Sequence, residues 1–177
     1  MNNLGDLLAS ATADIGHEYF QLPIHGGGPV YRERVYCYEL YHQMRRRWPD
    51  DGPFRLNGEV DKAAHPVLSR LDASYAKPDL VVHGPGDMGR NHAIIEVKSR
   101  MADAEGVAKD IRTLSLFRRR VGYERAIYLI YGHGSLDRFF QRINRLAAEV
   151  AELPAIEVWA HQAQGSPARH LFDLYRP

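Results

Sequence analysis

The chain has a single cysteine, Cys37, in 177 residues, which excludes an internal disulfide and a Cys-rich zinc site. It has no long apolar run. The longest, such as residues 126–131, are strand-sized and far short of the ~20 residues that cross a bilayer, so no membrane partner is expected. The opening MNNLGDLLAS lacks a basic start followed by an apolar stretch; no signal peptide is read, and the cytoplasm is the expected compartment. An excess of one charge is missing too: 23 Lys and Arg face 22 Asp and Glu, so whole-chain electrostatics do not point to nucleic acid. The nine histidines form no H-E-x-x-H, and no G-x-S-x-G occurs, which removes the grounds for a zinc hydrolase or a serine esterase.

What is present is the ordinary composition of one folded domain, and the apolar spacing gives its elements. Leu4, Leu7, Leu8, Ala11 and Ile15 predict a helix over residues 3–20. The breaker segment Pro23-Ile-His-Gly-Gly-Gly-Pro29 then reads as a flexible connector. Residues 30–48 predict a second helix with Tyr36, Cys37, Leu40, Tyr41 and Met44 on its stripe, ended by Pro49 to Pro53. Strands are expected at 54–60, 77–83 and 92–100, forming a meander in which 84–91 is the last loop. A helix over 105–120 carries Val107, Ile111, Leu114 and Phe117 on one face; a buried strand follows at 125–131. Ser135 is the expected N-cap of a long helix that Pro154 stops, and 156–161 is a last strand. This order implies a single α/β domain: an α/β/α sandwich with a mixed central β-sheet. Residues 1–29 form its N-terminal helix and connector, 30–161 its core and 162–177 an unassigned tail.

Hydrolysis of a phosphodiester needs a hard divalent cation on oxygen ligands and a cationic side chain to place water and offset charge. Strand geometry supplies this from few residues. Glu96 and Lys98 are two apart in Ile94-Ile95-Glu96-Val97-Lys98, so they share a face while Ile95 and Val97 take the other. Asp79 starts the preceding strand, and antiparallel pairing can bring its carboxylate beside Glu96. Taken alone, Glu-x-Lys is common and Pro-Asp is a frequent turn dipeptide, so a surface ion pair is the plain alternative.

In this order and context, Pro78-Asp79 and Glu96-Val97-Lys98 resemble the motifs of the PD-(D/E)xK nuclease superfamily, which includes restriction endonucleases and Holliday-junction resolvases. The resemblance covers residues 33–159. It implies a restriction-endonuclease-like fold and a nuclease that hydrolyses DNA, or RNA, with Mg2+ or Mn2+. Asp79, Glu96 and the Val97 carbonyl would ligate the metal, and Lys98 would orient the attacking water. The superfamily often adds a Glu from the helix before the sheet. Glu33 is preferred because it lies on the stripe with Cys37, Leu40 and Met44; Glu39 sits nearer the flank. The implied partner is nucleic acid, DNA ahead of RNA, with room for a homodimer or a larger defence or repair assembly. The alternative is an inactive module of this fold that binds nucleic acid or protein.

Weaker signals remain. Glu59 and Asp61 share one strand face and could add metal or substrate contacts, although a polar edge strand explains them as well. Lys109 and Arg112 lie off the apolar face of their helix and could meet phosphates; solvated positions are the plainer reading. The tracts Arg45-Arg46-Arg47 and Arg118-Arg119-Arg120 fall at helix ends, where basic side chains complement the helix dipole. Gly84-Pro-Gly-Asp-Met-Gly89 matches G-x-G-x-x-G, but a strand follows instead of a helix, so it is expected to be a hairpin loop.

Overall fold

The computed structural model describes residues 4–58, 70 and 76–176. Its centre is a six-stranded sheet in the sequential order β1-β2-β3-β4-β5-β6. The strands are β1 (Arg55–Gly58), β2 (Leu80–His83), β3 (Asn91–Ser99), β4 (Arg125–Tyr131), β5 (Ile156–His161) and β6 (Arg169–Leu174). The meander expected for β1, β2 and β3 is antiparallel; β3, β4 and β5 run parallel, and β6 closes the sheet antiparallel to β5. Parallel neighbours need crossover helices. These are α4 (Ala104–Leu116), extended by a π-helical turn Phe117–Val121, and α5 (Asp137–Ala148). Before the sheet come α1 (Leu4–Ala13), α2 (His17–Phe20) and α3 (Glu33–Arg46).

The α/β layering follows from side-chain alternation in the middle strands. Ile95, Val97, Ile127 and Leu129 pack against α1, α2 and α3; Ile94, Tyr128 and Ile130 join a second core with α4 and α5. Both faces of β3 and β4 are thereby buried, at about 1.5–3 kcal/mol for each large apolar side chain removed from water. The N-terminal helix belongs to this core. Leu4, Leu8 and Ala11 are fully buried, and the Thr12 hydroxyl accepts the Ala168 amide at 2.8 Å, tying α1 to the segment before β6. Among the described residues no helix is long and apolar enough to cross a membrane.

Several expected boundaries are corrected. The helix expected over 3–20 ends at Ala13 and restarts at His17, with Gly16 in extended backbone capping α2; glycine is among the weakest helix formers. The helix expected from residue 30 starts at Glu33, because Val30 pairs with Leu22 through reciprocal bonds of 2.8 and 2.9 Å. That bridge also pins the two ends of the Gly-rich connector. The strand expected from residue 77 begins at Leu80, since Pro78 has no amide to give and Asp79 uses its side chain on β3. The N-cap of α5 is Leu136, with the Ser135 hydroxyl one residue earlier accepting the Asp137 amide at 3.2 Å. Its last residue is Ala148, well before Pro154. The unassigned tail contains β6. Residues 84–90 form the expected hairpin turn, closed by the Gly84 amide on the Arg90 carbonyl at 2.7 Å.

Candidate functional site

Register fixes the first contact. Leu80 pairs with Ile95, so Asp79 falls opposite Glu96, one step beyond the end of the ladder. There Asp79 Oδ2 accepts the Val97 amide at 2.8 Å, substituting for the backbone carbonyl of a longer strand. The Asp79 and Glu96 carboxyls lie within hydrogen-bonding reach of each other. Burial pushes both up from the usual carboxylate range, and for Glu96 the nearby charges of Asp79 and Asp110 add to it. The hydrogen bond between them pulls Asp79 the other way, so the pair's repulsion falls on Glu96.

Lys98 extends from the next position on the same strand face. Its ammonium lies 3.0 Å from Glu33 Oε2 and 3.0 Å from Asp110 Oδ2. Burial opposes its charge, but Asp110 and Glu33 together outweigh that and raise the lysine above its ordinary value. Glu33 stands at the first turn of α3 and reaches past the short β2; its other oxygen accepts the Ser99 amide at 3.1 Å. Glu39 is placed elsewhere. It accepts the Gln43 side-chain amide at 2.6 Å and pairs with His42 at 3.2 Å.

Asp110 is the residue that the reading of the sequence did not single out. It is 4% exposed, faces the sheet from α4, and accepts the Tyr128 hydroxyl at 3.1 Å. Burial dominates its titration, pushing it up to about 6 although Lys98 and Tyr128 pull the other way. A signal was available: Asp110 lies three residues after Val107 and four before Leu114, inside the apolar arc of its helix. An acid on such an arc needs a buried partner.

These side chains open on one cleft of about 650 Å³. Asp79, Glu96, Lys98, Glu33 and Asp110 all line it, as do Lys109 and Cys37. Burial pushes the Cys37 thiol up, and Asp79, Glu96 and Glu33 add to this, so Cys37 is a protonated wall and not a nucleophile. Arg112 lies outside the cleft, in a neighbouring hollow with Arg119 and Arg120. The Val97 group seen in contact with the site is its amide. Glu59 and Asp61 lie outside the described residues. Among the described residues no three His, Cys, Asp or Glu side chains form a ready-made metal cage. Comparisons with protein-family models, with curated proteins and with solved structures find no match for the chain.

Proposed function

We propose that the chain is a metal-dependent nuclease of PD-(D/E)xK type on a restriction-endonuclease-like fold, hydrolysing phosphodiester bonds of DNA or RNA with water. The observation that carries this reading is the junction of β2 and β3. Asp79 sits beside Glu96, and Lys98 follows on the same strand face, all on one cleft. The donor chemistry suits a hard divalent cation such as Mg2+ or Mn2+, which takes one or two carboxylates and keeps several waters. Two carboxyls that burial raises side by side are what such an ion relieves. Asp79, Glu96 and the Val97 carbonyl would hold it. When bound, the ion supplies charge stabilisation at the phosphate and acidifies water.

The chain's own residues do the rest. The Val97 amide fixes the orientation of Asp79. Glu33 and Asp110 hold the Lys98 ammonium from two sides and keep it protonated, so it can orient a water and offset charge developing on the phosphate. Tyr128 steadies Asp110 from the neighbouring strand.

The test incubates the protein with plasmid, single-stranded DNA and RNA, with Mg2+, with Mn2+ and with chelator. Asp79→Ala and Lys98→Ala should each lose at least about 100-fold in rate, the scale of removing one group that stabilises transition-state charge. Activity that survives in both variants sinks the assignment. A second reading has its own observation: Asp79 and Glu96 engage each other and Lys98 already has two carboxylate partners. Such a self-satisfied cluster also suits an inactive module that binds nucleic acid without cutting it. Inactivity on every substrate with retained binding selects that reading.

A further inference from the structure

The chain's charge is balanced in total but not in space. The helices on one face of the sheet, α4 with its π-helical turn and α5, carry eight Lys and Arg against three Asp and Glu. One of those three acids is the buried Asp110. The helices on the other face, α1 to α3, carry three Lys and Arg against four Asp and Glu. The basic layer is therefore net +5 and the opposite layer net −1.

Within the basic layer the cations are aligned. On α4, Lys109 and Arg112 lie about 60° apart, opposite the buried Val107, Ile111 and Leu114, and Arg119 and Arg120 follow on the π-helical turn. Lys109 lines the cleft that holds Lys98. Arg112, Arg119 and Arg120 converge on a shallow hollow of about 240 Å³, floored by Leu116 and Val150. Arg119 pairs with the exposed Glu152, and Arg118 is held apart by the Tyr123 carbonyl at 2.8 Å. Arg112 and Arg120 are exposed and have no ion pair with a described residue. From Lys109 to Arg120 the helix advances about 16 Å. One strand of B-form DNA presents about five phosphates over that length. Guanidinium forks match phosphate oxygens in pairs, so a row of them suits a phosphate backbone of that spacing.

We infer that the outer face of α4 is a phosphate-backbone track that leads a nucleic-acid strand to the cleft. What the strand meets there rests on the nuclease reading; the track itself does not. The test is fluorescence anisotropy in chelator with labelled single-stranded DNA, duplex DNA and RNA, over a salt series. The proteins are wild type, an Arg112→Gln/Arg119→Gln/Arg120→Gln variant, and an Arg45→Gln/Arg46→Gln control on the opposite layer. Thermal melting checks that each is folded; losing the exposed Arg119–Glu152 pair costs little.

The slope of log affinity against log salt should be shallower by about 2–3 in the triple variant, with affinity near 0.1 M salt down by roughly 100-fold. The control should bind as wild type. The inference is overturned if wild type binds no oligonucleotide, if the triple variant keeps the wild-type slope, or if the control loses as much. It is also overturned if polyglutamate of equal charge competes as well as the oligonucleotide, since the surface then reads an acidic polypeptide. Because binding is read without turnover, the two readings fail separately. An inactive protein that binds through these arginines keeps the track, and an active one indifferent to them keeps only the nuclease.

Discussion

Replacing Asp110 by Asn should make the protein more stable at neutral pH and less active. Asp110 is buried on α4 and is pushed up to about 6 from an ordinary 3.8, with burial as the larger cause. The sign follows directly. Between those two values the folded state binds more protons than the unfolded state, so stability falls as pH rises through the window. A rise of about two pH units, at about 1.36 kcal/mol each, places the cost of ionising Asp110 near 3 kcal/mol at pH 8. At pH 4 it is only about half a kcal/mol, because the folded carboxyl is still protonated and the unfolded one is only partly ionised. Asn copies the neutral acid, keeps an acceptor for the Tyr128 hydroxyl, and never ionises. Lys98 is not stranded by the change, since Glu33 Oε2 remains 3.0 Å away. Urea denaturation of both proteins at pH 4, 6 and 8 measures the gap. It should widen in favour of Asp110→Asn from about 0.5 towards about 3 kcal/mol. The nuclease rate proposed above should meanwhile drop about 10- to 100-fold, as the Lys98 ammonium loses one of its two fixed neighbours. A gap that does not widen with pH, or an Asn variant less stable than wild type at pH 8, would refute this account.

Two further outcomes follow from the same geometry. Asp79 and Glu96 are both raised by burial, so protons compete with the divalent ion of the proposed function for these carboxyls. Mn2+ affinity by calorimetry should therefore strengthen from pH 5.5 to 8 with proton release in buffers of different ionisation enthalpy; a flat profile without release contradicts it. Gly132, just past β4, has φ +136°, and an added Cβ would come within 2.7 Å of the Arg100 side chain. Gly132→Ala should cost about 1–3 kcal/mol, which thermal melting reads as a Tm lower by roughly 2–12 °C; an unchanged Tm means that the turn adjusts freely.

Local periodicity made much of the fold legible. The strands at 125–131 and 156–161 agree with β4 and β5 to the residue, because continuous apolar runs between breakers have few other ways to bury both faces. The meeting of Asp79, Glu96 and Lys98 was legible for a similar reason. Two of the three lie two apart on one strand, and the third follows a proline that limits where the partner strand can begin. The break at Gly16 and the bridge at Val30 were less visible, since the apolar stripe runs on through both.

By itself, then, the sequence determined which residues alternate into the sheet and which carboxylates and ammonium share its end, because strand period and chain adjacency are local. Only the tertiary structure decided the company that Lys98 keeps. Asp110 reaches it from 12 residues downstream and Glu33 from 65 upstream, across opposite helix layers, and no local pattern encodes such a meeting. The same holds for charge. A chain with 23 basic and 22 acidic residues looks neutral when counted along its length. Folding sorts those residues by layer, and with charges screened beyond about 10 Å, what a partner meets is the face and not the sum.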